Sequence, residues 1–123
     1  MDDLVRFLRD RLDETAAKAE AARGDGDGRW HQDDADRYPG RIVDSKGGIV
    51  TFDEGAPDEA QAAHIARHDP ARVLAEVETK RRIIARVENH AFLMGRDEIH
   101  GDLLRLLALT YADHPDYREE WRP

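Results

Sequence analysis

The sequence contains no cysteine. Disulfides, thiolate nucleophiles and every cysteine-based zinc or iron–sulfur site are therefore excluded. Serine occurs once, as Ser45, and it does not lie in the pattern of a hydrolase nucleophile elbow. Aromatic residues make up 7% of the chain, which gives no stacking platform for single-stranded nucleic acid. Positive evidence for an enzyme is close to absent, and we expect a non-catalytic protein.

Long apolar runs are also missing. No stretch approaches the length of a membrane-spanning helix, and the opening "MDDLVRFLRD" lacks the basic and apolar regions of a signal peptide. The net charge of −8 argues against a general attraction to nucleic acid or to anionic membranes. We therefore expect a cytoplasmic protein that binds neither nucleic acid nor a membrane.

The chain has periodic apolar positions in spite of its polarity. Charged residues make up 37% of it and the mean hydropathy is −0.78, but residues 4–22 and 59–112 carry apolar side chains at helical spacing. A length of 123 residues suits one domain. We predict a single domain over residues 1–123, with an N-terminal helix (1–23), a Gly/Asp linker (24–28), a β-hairpin region (29–54), a helical body (57–112) and an extended tail (113–123).

Short β-favouring runs interrupt the helical pattern. Ile42-Val43 and the run 49–52 flank the glycine-containing turn 45–48, which predicts a hairpin, and Trp30 is a candidate for a third strand. The leucine-rich segment 97–112 is apolar almost all round, so we expect it to be the central, most buried helix. The predicted fold class is α+β, mostly α, with three to four helices packed with one small β-hairpin or short antiparallel sheet.

Two histidines four residues apart, His64 and His68, suggest a metal site. On one helix they share a face, and two imidazoles at this spacing can hold zinc or another divalent metal. The glutamate of the HExxH metalloprotease motif is missing. A third ligand would have to come from His90, His100 or another distant group. The metal hypothesis, a metal-binding protein or metal-dependent hydrolase, depends on that convergence.

The same stretch has a second interpretation as a helix junction. Asp69 precedes Pro70, and a residue before proline is disfavoured in helical geometry, so one helix should end near His68. Asp69 is then a suitable N-cap and Pro70 a suitable first residue of the next helix. We favour the junction over the metal site, and on this interpretation the protein needs no cofactor.

Two further groups of residues are candidates for interaction. The basic cluster Lys80, Arg81, Arg82 and Arg86 could meet phosphates or an acidic partner, but such a run is more often the solvated face of a helix. Trp30 and Trp121 could contact a ligand, although each is more typical of a cover over a small core.

Three stretches of the chain resemble a known but uncharacterised family. "MDDLVRFLRDRLDE", "HIARHDPARVLAEVETKRRI" and "LRLLALTYADHPDYREEWRP" are similar to small proteins of actinobacteria and their phages, grouped as a domain of unknown function. The resemblance implies a setting in a phage or another mobile element, where small acidic proteins often bind a host protein. It carries no known activity.

This chain departs from the resemblance before its leucine-rich helix. Many relatives carry a histidine followed by several cysteines there, a pattern similar to a zinc-binding loop. Here the stretch reads "ENHAFLMGRDEIHGDLLRLLAL", which keeps His90 and His100 without any thiolate. The resemblance therefore implies that direct packing through Phe92, Leu93 and Ile99 replaces a zinc site.

Three functional hypotheses result. The first is a non-catalytic protein-interaction module with a protein partner or a second copy of itself, and of phage or mobile-element origin. The second is a metal-binding protein or metal-dependent hydrolase that uses His64 and His68. The third is a nucleic-acid-associated regulator that uses the basic cluster.

Overall fold

A computed structural model describes residues 2–34, 36–52, 54–55 and 57–123. Within these residues the chain forms four α-helices and three short strands, which confirms an α+β fold that is mostly α. The helices are α1 (Asp2–Arg23), α2 (Glu59–Arg67), α3 (Pro70–Met94) and α4 (Glu98–Leu109). The strands are β1 (Trp30–Gln32), β2 (Ile42–Asp44) and β3 (Ile49–Thr51), and a 3₁₀ turn covers Glu119–Trp121. None of the described helices combines the length and apolar character needed to cross a membrane.

The fold divides into two compact units. The strand unit is Ala16–Glu76, and the helical unit consists of the described residues of Met1–Thr15 and Val77–Pro123. The strand unit contains all three strands together with α2, and the helical unit contains α4 and the 3₁₀ turn. The single domain predicted from the sequence stays a prediction.

The strand unit is built around a small antiparallel sheet in the order β1-β2-β3. Trp30 pairs with Asp44, so the third strand expected at Trp30 is confirmed. The hairpin turn closes because the Asp44 carboxylate accepts hydrogen bonds from the backbone N–H groups of Lys46 (2.9 Å) and Gly48 (2.8 Å). Gly47 between them has a φ of +83°, a conformation that glycine adopts without strain.

The glycine-rich segment 24–28 is held by defined hydrogen bonds. Asp27 accepts from the backbone N–H of Arg29 and from the Ser45 hydroxyl (3.0 Å), and these bonds, the backbone one foremost, lower the pKa of the Asp27 carboxyl. The Gly28 carbonyl accepts from the N–H of Ala71 at the start of α3 (3.0 Å). A Cβ on Gly28 would lie 3.0 Å from that nitrogen, so this close approach requires glycine.

The helical unit has a core of leucine and other aliphatic side chains. Its fully buried members include Leu4, Leu8 and Leu12 of α1, Ile84 of α3 and Leu104 of α4. They recur every three to four residues on α1, which is the stripe that the sequence pattern predicted.

The last residues of the chain pack onto α1 within the helical unit. Trp121 and Tyr117 surround Phe7, with ring centroids 5.1 and 6.0 Å from the Phe7 ring. The buried guanidinium of Arg11 lies beside them and pairs with Glu14 at 2.9 Å. Residues 113–123, which we predicted to be extended, form successive turns here, and their aromatic side chains cover the core.

The leucine-rich helix, which we expected to be the central and most buried one, leaves part of its apolar surface exposed. Helix α4 buries one face, made of His100, Gly101, Leu104 and Ala108. Leu103 and Leu106, on another face, are 42% and 54% exposed. In a domain of this size a helix packs against its neighbours on one side, so the leucines on its other side stay in contact with water.

Candidate functional site

His64 and His68 lie together at the C-terminal end of α2. Their rings are 4.3 Å apart between centroids, and both side chains are exposed. The Nδ1 of His68 lies 2.8 Å from the carbonyl oxygen of His64. Because a carbonyl only accepts, His68 carries its proton on Nδ1 in this contact. The His68 ring therefore caps the C-terminal end of its own helix, α2.

The residues after His68 form the predicted helix junction. His68 is the C-cap of α2, and α3 begins at Pro70. The Asp69 carboxylate accepts from the backbone N–H of Arg72 (2.8 Å), as an N-cap does. Its second oxygen accepts from the backbone N–H of Trp30 (3.1 Å), which joins the start of β1 to this junction. The helix-junction interpretation of His68-Asp69-Pro70 is confirmed.

His90 and His100 form a second pair, in the helical unit. His100 is 5% exposed, and it lies at the third position of α4. The backbone N–H of Asp97 donates to Nδ1 of His100 (3.2 Å), while the Asp97 carboxylate accepts from the His100 N–H (3.1 Å). This reciprocal pair is a capping box with histidine in the place usually taken by glutamate or glutamine.

The capping box sets the proton position in the His90–His100 contact. Since Nδ1 of His100 accepts, the neutral ring carries its proton on Nε2 and donates it to Nδ1 of His90 (2.7 Å). Sequence reasoning named both histidines as metal candidates and did not anticipate this hydrogen bond. The sequence signal for the capping box was Asp97 three residues before His100, at the start of an apolar segment.

The structure brings the four candidate metal ligands together only as two pairs. Among the described residues, no group of three or more histidine, cysteine, aspartate or glutamate side chains could hold a metal ion. A further histidine, His114, accepts through Nδ1 from Arg11 (2.9 Å) and from the N–H of Asp116 (3.0 Å). The metal site predicted from His64, His68, His90 and His100 stays a hypothesis.

The predicted basic cluster is divided between two sides of α3. Arg81 donates to Asp13 of α1 (2.8 Å). Arg82 pairs with Glu78 one turn earlier on the same helix (3.1 Å), and Arg86 is exposed and makes no ion pair with any described residue. Lys80 is half-buried. These residues do not form one continuous basic surface, and their role stays a prediction.

The two tryptophans have different surroundings. Trp121 is buried against Phe7, and the side chain of Arg118 lies over its ring at 5.2 Å. Trp30 is half-buried on β1. A ligand-contacting role for either residue stays a prediction.

The packing expected of Phe92, Leu93 and Ile99 is absent, and that prediction is wrong. These side chains are 86%, 67% and 65% exposed. The buried stripe of α3 runs through Val77, Ile84 and Val87, and Phe92 and Leu93 do not continue it. On α4 the buried stripe follows His100 and Leu104, which leaves Ile99 outside. Sequence reasoning did not anticipate that these three side chains are exposed.

Several of the exposed apolar residues line a groove between α3 and α4. We define the α3–α4 groove by six residues that line it: Ile83, Arg86, Val87, Leu93, Ile99 and Leu103. Arg86, Val87 and Leu103 lie where its two halves meet, and His90 and His100 belong to the half that contains Leu93 and Ile99. Phe92 lies outside it, beside Asp2, Val5 and Arg96.

The two walls of the α3–α4 groove carry opposite charges. The α3 wall presents Arg82 and Arg86. The α4 wall presents Asp97, and the exposed Glu98 and Asp102 immediately precede the groove residues Ile99 and Leu103 along α4. Asp102 makes an exposed ion pair with Arg105 at 3.4 Å. Exposed pairs of this kind contribute little stability, so both groups can exchange partners.

Comparison with known proteins places the chain in a family. Residues 1–123 match the family described as "Family of unknown function (DUF6221)", and the chain belongs to it. No curated protein and no solved structure matches the chain.

Proposed function

For this member of a family of unknown function, we propose a non-catalytic protein-interaction module that binds its partner in the α3–α4 groove. The observation that carries the proposal is the exposure of Leu93 and Ile99 beside the half-exposed Leu103. Water contact with apolar side chains costs free energy, and a partner that covers them recovers it.

The size of the apolar surface supports a specific interface. The exposed parts of the groove residues Ile83, Leu93, Ile99 and Leu103, together with the exposed Leu106 further along α4, amount to the order of 500 Å². A standard interface takes roughly 800 Å² from each partner, and about two thirds of its core is apolar. The groove with its charged walls therefore matches one side of a standard interface.

The spacing of the apolar residues favours a helical partner. Ile99, Leu103 and Leu106 follow one another at four and three residues, the spacing of a seam between packed helices. Ile83 and Leu93 line the opposite side with Arg86 and His90 between them. A helix laid in such a groove is a common mode of peptide recognition.

Site-specific photo-crosslinking tests the proposal. A photoreactive amino acid is placed at position 93, inside the groove, and in a matched variant at position 92, on the same helix and outside the groove. Each purified variant is irradiated in an actinobacterial lysate, and adducts are identified by mass spectrometry. We expect one discrete adduct from position 93 and none from position 92. Equal labelling at both positions, or none at position 93, would overturn the proposal.

We also propose that the protein works in the cytoplasm of an actinobacterium and derives from a phage or mobile element. The resemblance of the three quoted stretches to small actinobacterial and actinophage proteins supports this setting. The same crosslinking tests it, because an adduct with a host protein should form in an actinobacterial lysate and not in a lysate of an unrelated bacterium, whereas an adduct between two copies of this chain should form in both.

A further inference from the structure

We propose that the occupant of the α3–α4 groove is a second copy of this chain, joined in a two-fold symmetric dimer. The inference rests on the proposed function, since it names the partner of the same groove. It depends on the opposite charges of the two walls, which a second copy can pair with each other.

A two-fold contact between grooves can be arranged in two ways. An axis along the groove places α3 of one copy opposite α4 of the other. An axis across the groove places α3 opposite α3 and α4 opposite α4. Only the first arrangement brings the basic side chains of α3, Arg82 and Arg86, towards the acidic side chains of α4, Glu98 and Asp102. The charges therefore select the axis along the groove.

The levels of the residues along the groove support this pairing. His90 contacts His100, and Val87 lines the groove together with Leu103. The two helices therefore run in opposite directions along the groove. Arg86 is therefore at about the level of Leu103, next to Asp102. In the dimer, Arg86 of each copy faces Asp102 of the other, which creates two equivalent ion pairs at the edges of the apolar seam.

A partner of one charge sign fits the groove less well. An acidic helix would satisfy Arg86 but would meet Asp97 on the other wall and the exposed Glu98 and Asp102 beside it on α4, and a basic helix would meet Arg82 and Arg86. Like charges across an interface weaken binding. The apolar surface, about the size of the apolar share that one partner contributes to a standard interface, is also matched by an identical groove.

The first test measures self-association by sedimentation equilibrium, from about 1 to about 300 µM of the full chain. We expect a monomer–dimer equilibrium. Leu103→Lys should raise the dissociation constant by at least about thirtyfold, because it places an unpaired charge in the apolar seam. The matched control, Phe92→Lys on the same helix pair, lies outside the groove and should leave the constant unchanged. Circular dichroism establishes that both variants are folded.

The second test exchanges the charges. Arg86→Glu alone and Asp102→Arg alone should each weaken the homodimer by about tenfold or more, because each places two like-charged pairs in the interface. In an equal mixture of the two variants, the heterodimer restores two opposite-charged pairs, so association should return to near the wild-type value. Arg67→Glu, an exposed change on α2, serves as the charge control.

The outcomes separate this inference from the proposed function. A wild-type monomer over the whole concentration range, or a mixture of the charge variants that does not recover, would overturn the dimer. If position 93 then still captures a different protein, the groove is an interface for that partner and the proposed function stands. A monomer with no adduct at position 93 would overturn both.

Discussion

The two helix junctions of this protein contain similar residues but use them differently. At the α2–α3 junction, His68, Asp69 and Pro70 end one helix and start the next, and both histidines of the pair are exposed. At the α3–α4 junction, Asp97 caps α4, His100 is buried, and the residues around it leave an apolar surface uncovered. The comparison teaches that a histidine pair beside an aspartate does not by itself define a site. The burial of the surrounding residues decides its role.

The largest expected difference between the junctions concerns their histidines. His100→Ala removes a buried ring that accepts from Asp97 and donates to His90, so we expect a loss of about 2–4 kcal/mol in the free energy of unfolding. The matched change at the other junction, His68→Ala, removes one exposed contact to a carbonyl and should cost less than about 1 kcal/mol. Urea denaturation at one fixed protein concentration measures both. Equal costs would show that the burial of His100 does not distinguish the junctions.

A smaller difference is expected between the capping aspartates. The Asp69 carboxylate accepts from two backbone N–H groups, those of Arg72 and Trp30, whereas the Asp97 carboxylate accepts from one, that of His100. We expect Asp69→Ala to cost about 2 kcal/mol and Asp97→Ala about 1 kcal/mol. Denaturation followed by circular dichroism gives both values.

The contact between Asp69 and the start of β1 offers a local control. Asp69→Asn keeps an oxygen that can accept from the Arg72 N–H, so it should recover most of the N-cap. A change in the fluorescence of Trp30 should accompany Asp69→Ala and not Asp97→Ala, since Trp30 donates to Asp69. An equal cost for both alanine variants would mean that the Trp30 contact adds nothing to the junction.

The difference between the junctions also explains which features could be predicted from the sequence. The junction at Asp69-Pro70 could be predicted because the restriction that proline places on the preceding residue is local. The capping box that Asp58 and Gln61 form at the start of α2 could be predicted for the same reason. The exposed face of α4 could not be predicted from the sequence, because leucines occur on all sides of that helix. Which leucines are buried is decided only when the helix packs, with Leu104 on the inner face and Leu103 and Leu106 exposed.

The smallest expected effect is in metal binding. Here we expect the change at the α2–α3 junction and not at the α3–α4 junction. His68 donates through Nδ1 to a carbonyl, so its Nε2 is available beside the exposed ring of His64. Nδ1 of His90 already accepts from Nε2 of His100, whose Nδ1 accepts in turn from Asp97. A titration with Zn²⁺ should therefore show weak binding that His64→Ala abolishes and His90→Ala leaves unchanged, because a metal at the second pair must displace an existing hydrogen bond. Loss of binding in His90→Ala alone would reverse the assignment. One equivalent of zinc retained by the purified protein, measured by elemental analysis, would favour the metal hypothesis over the interaction module.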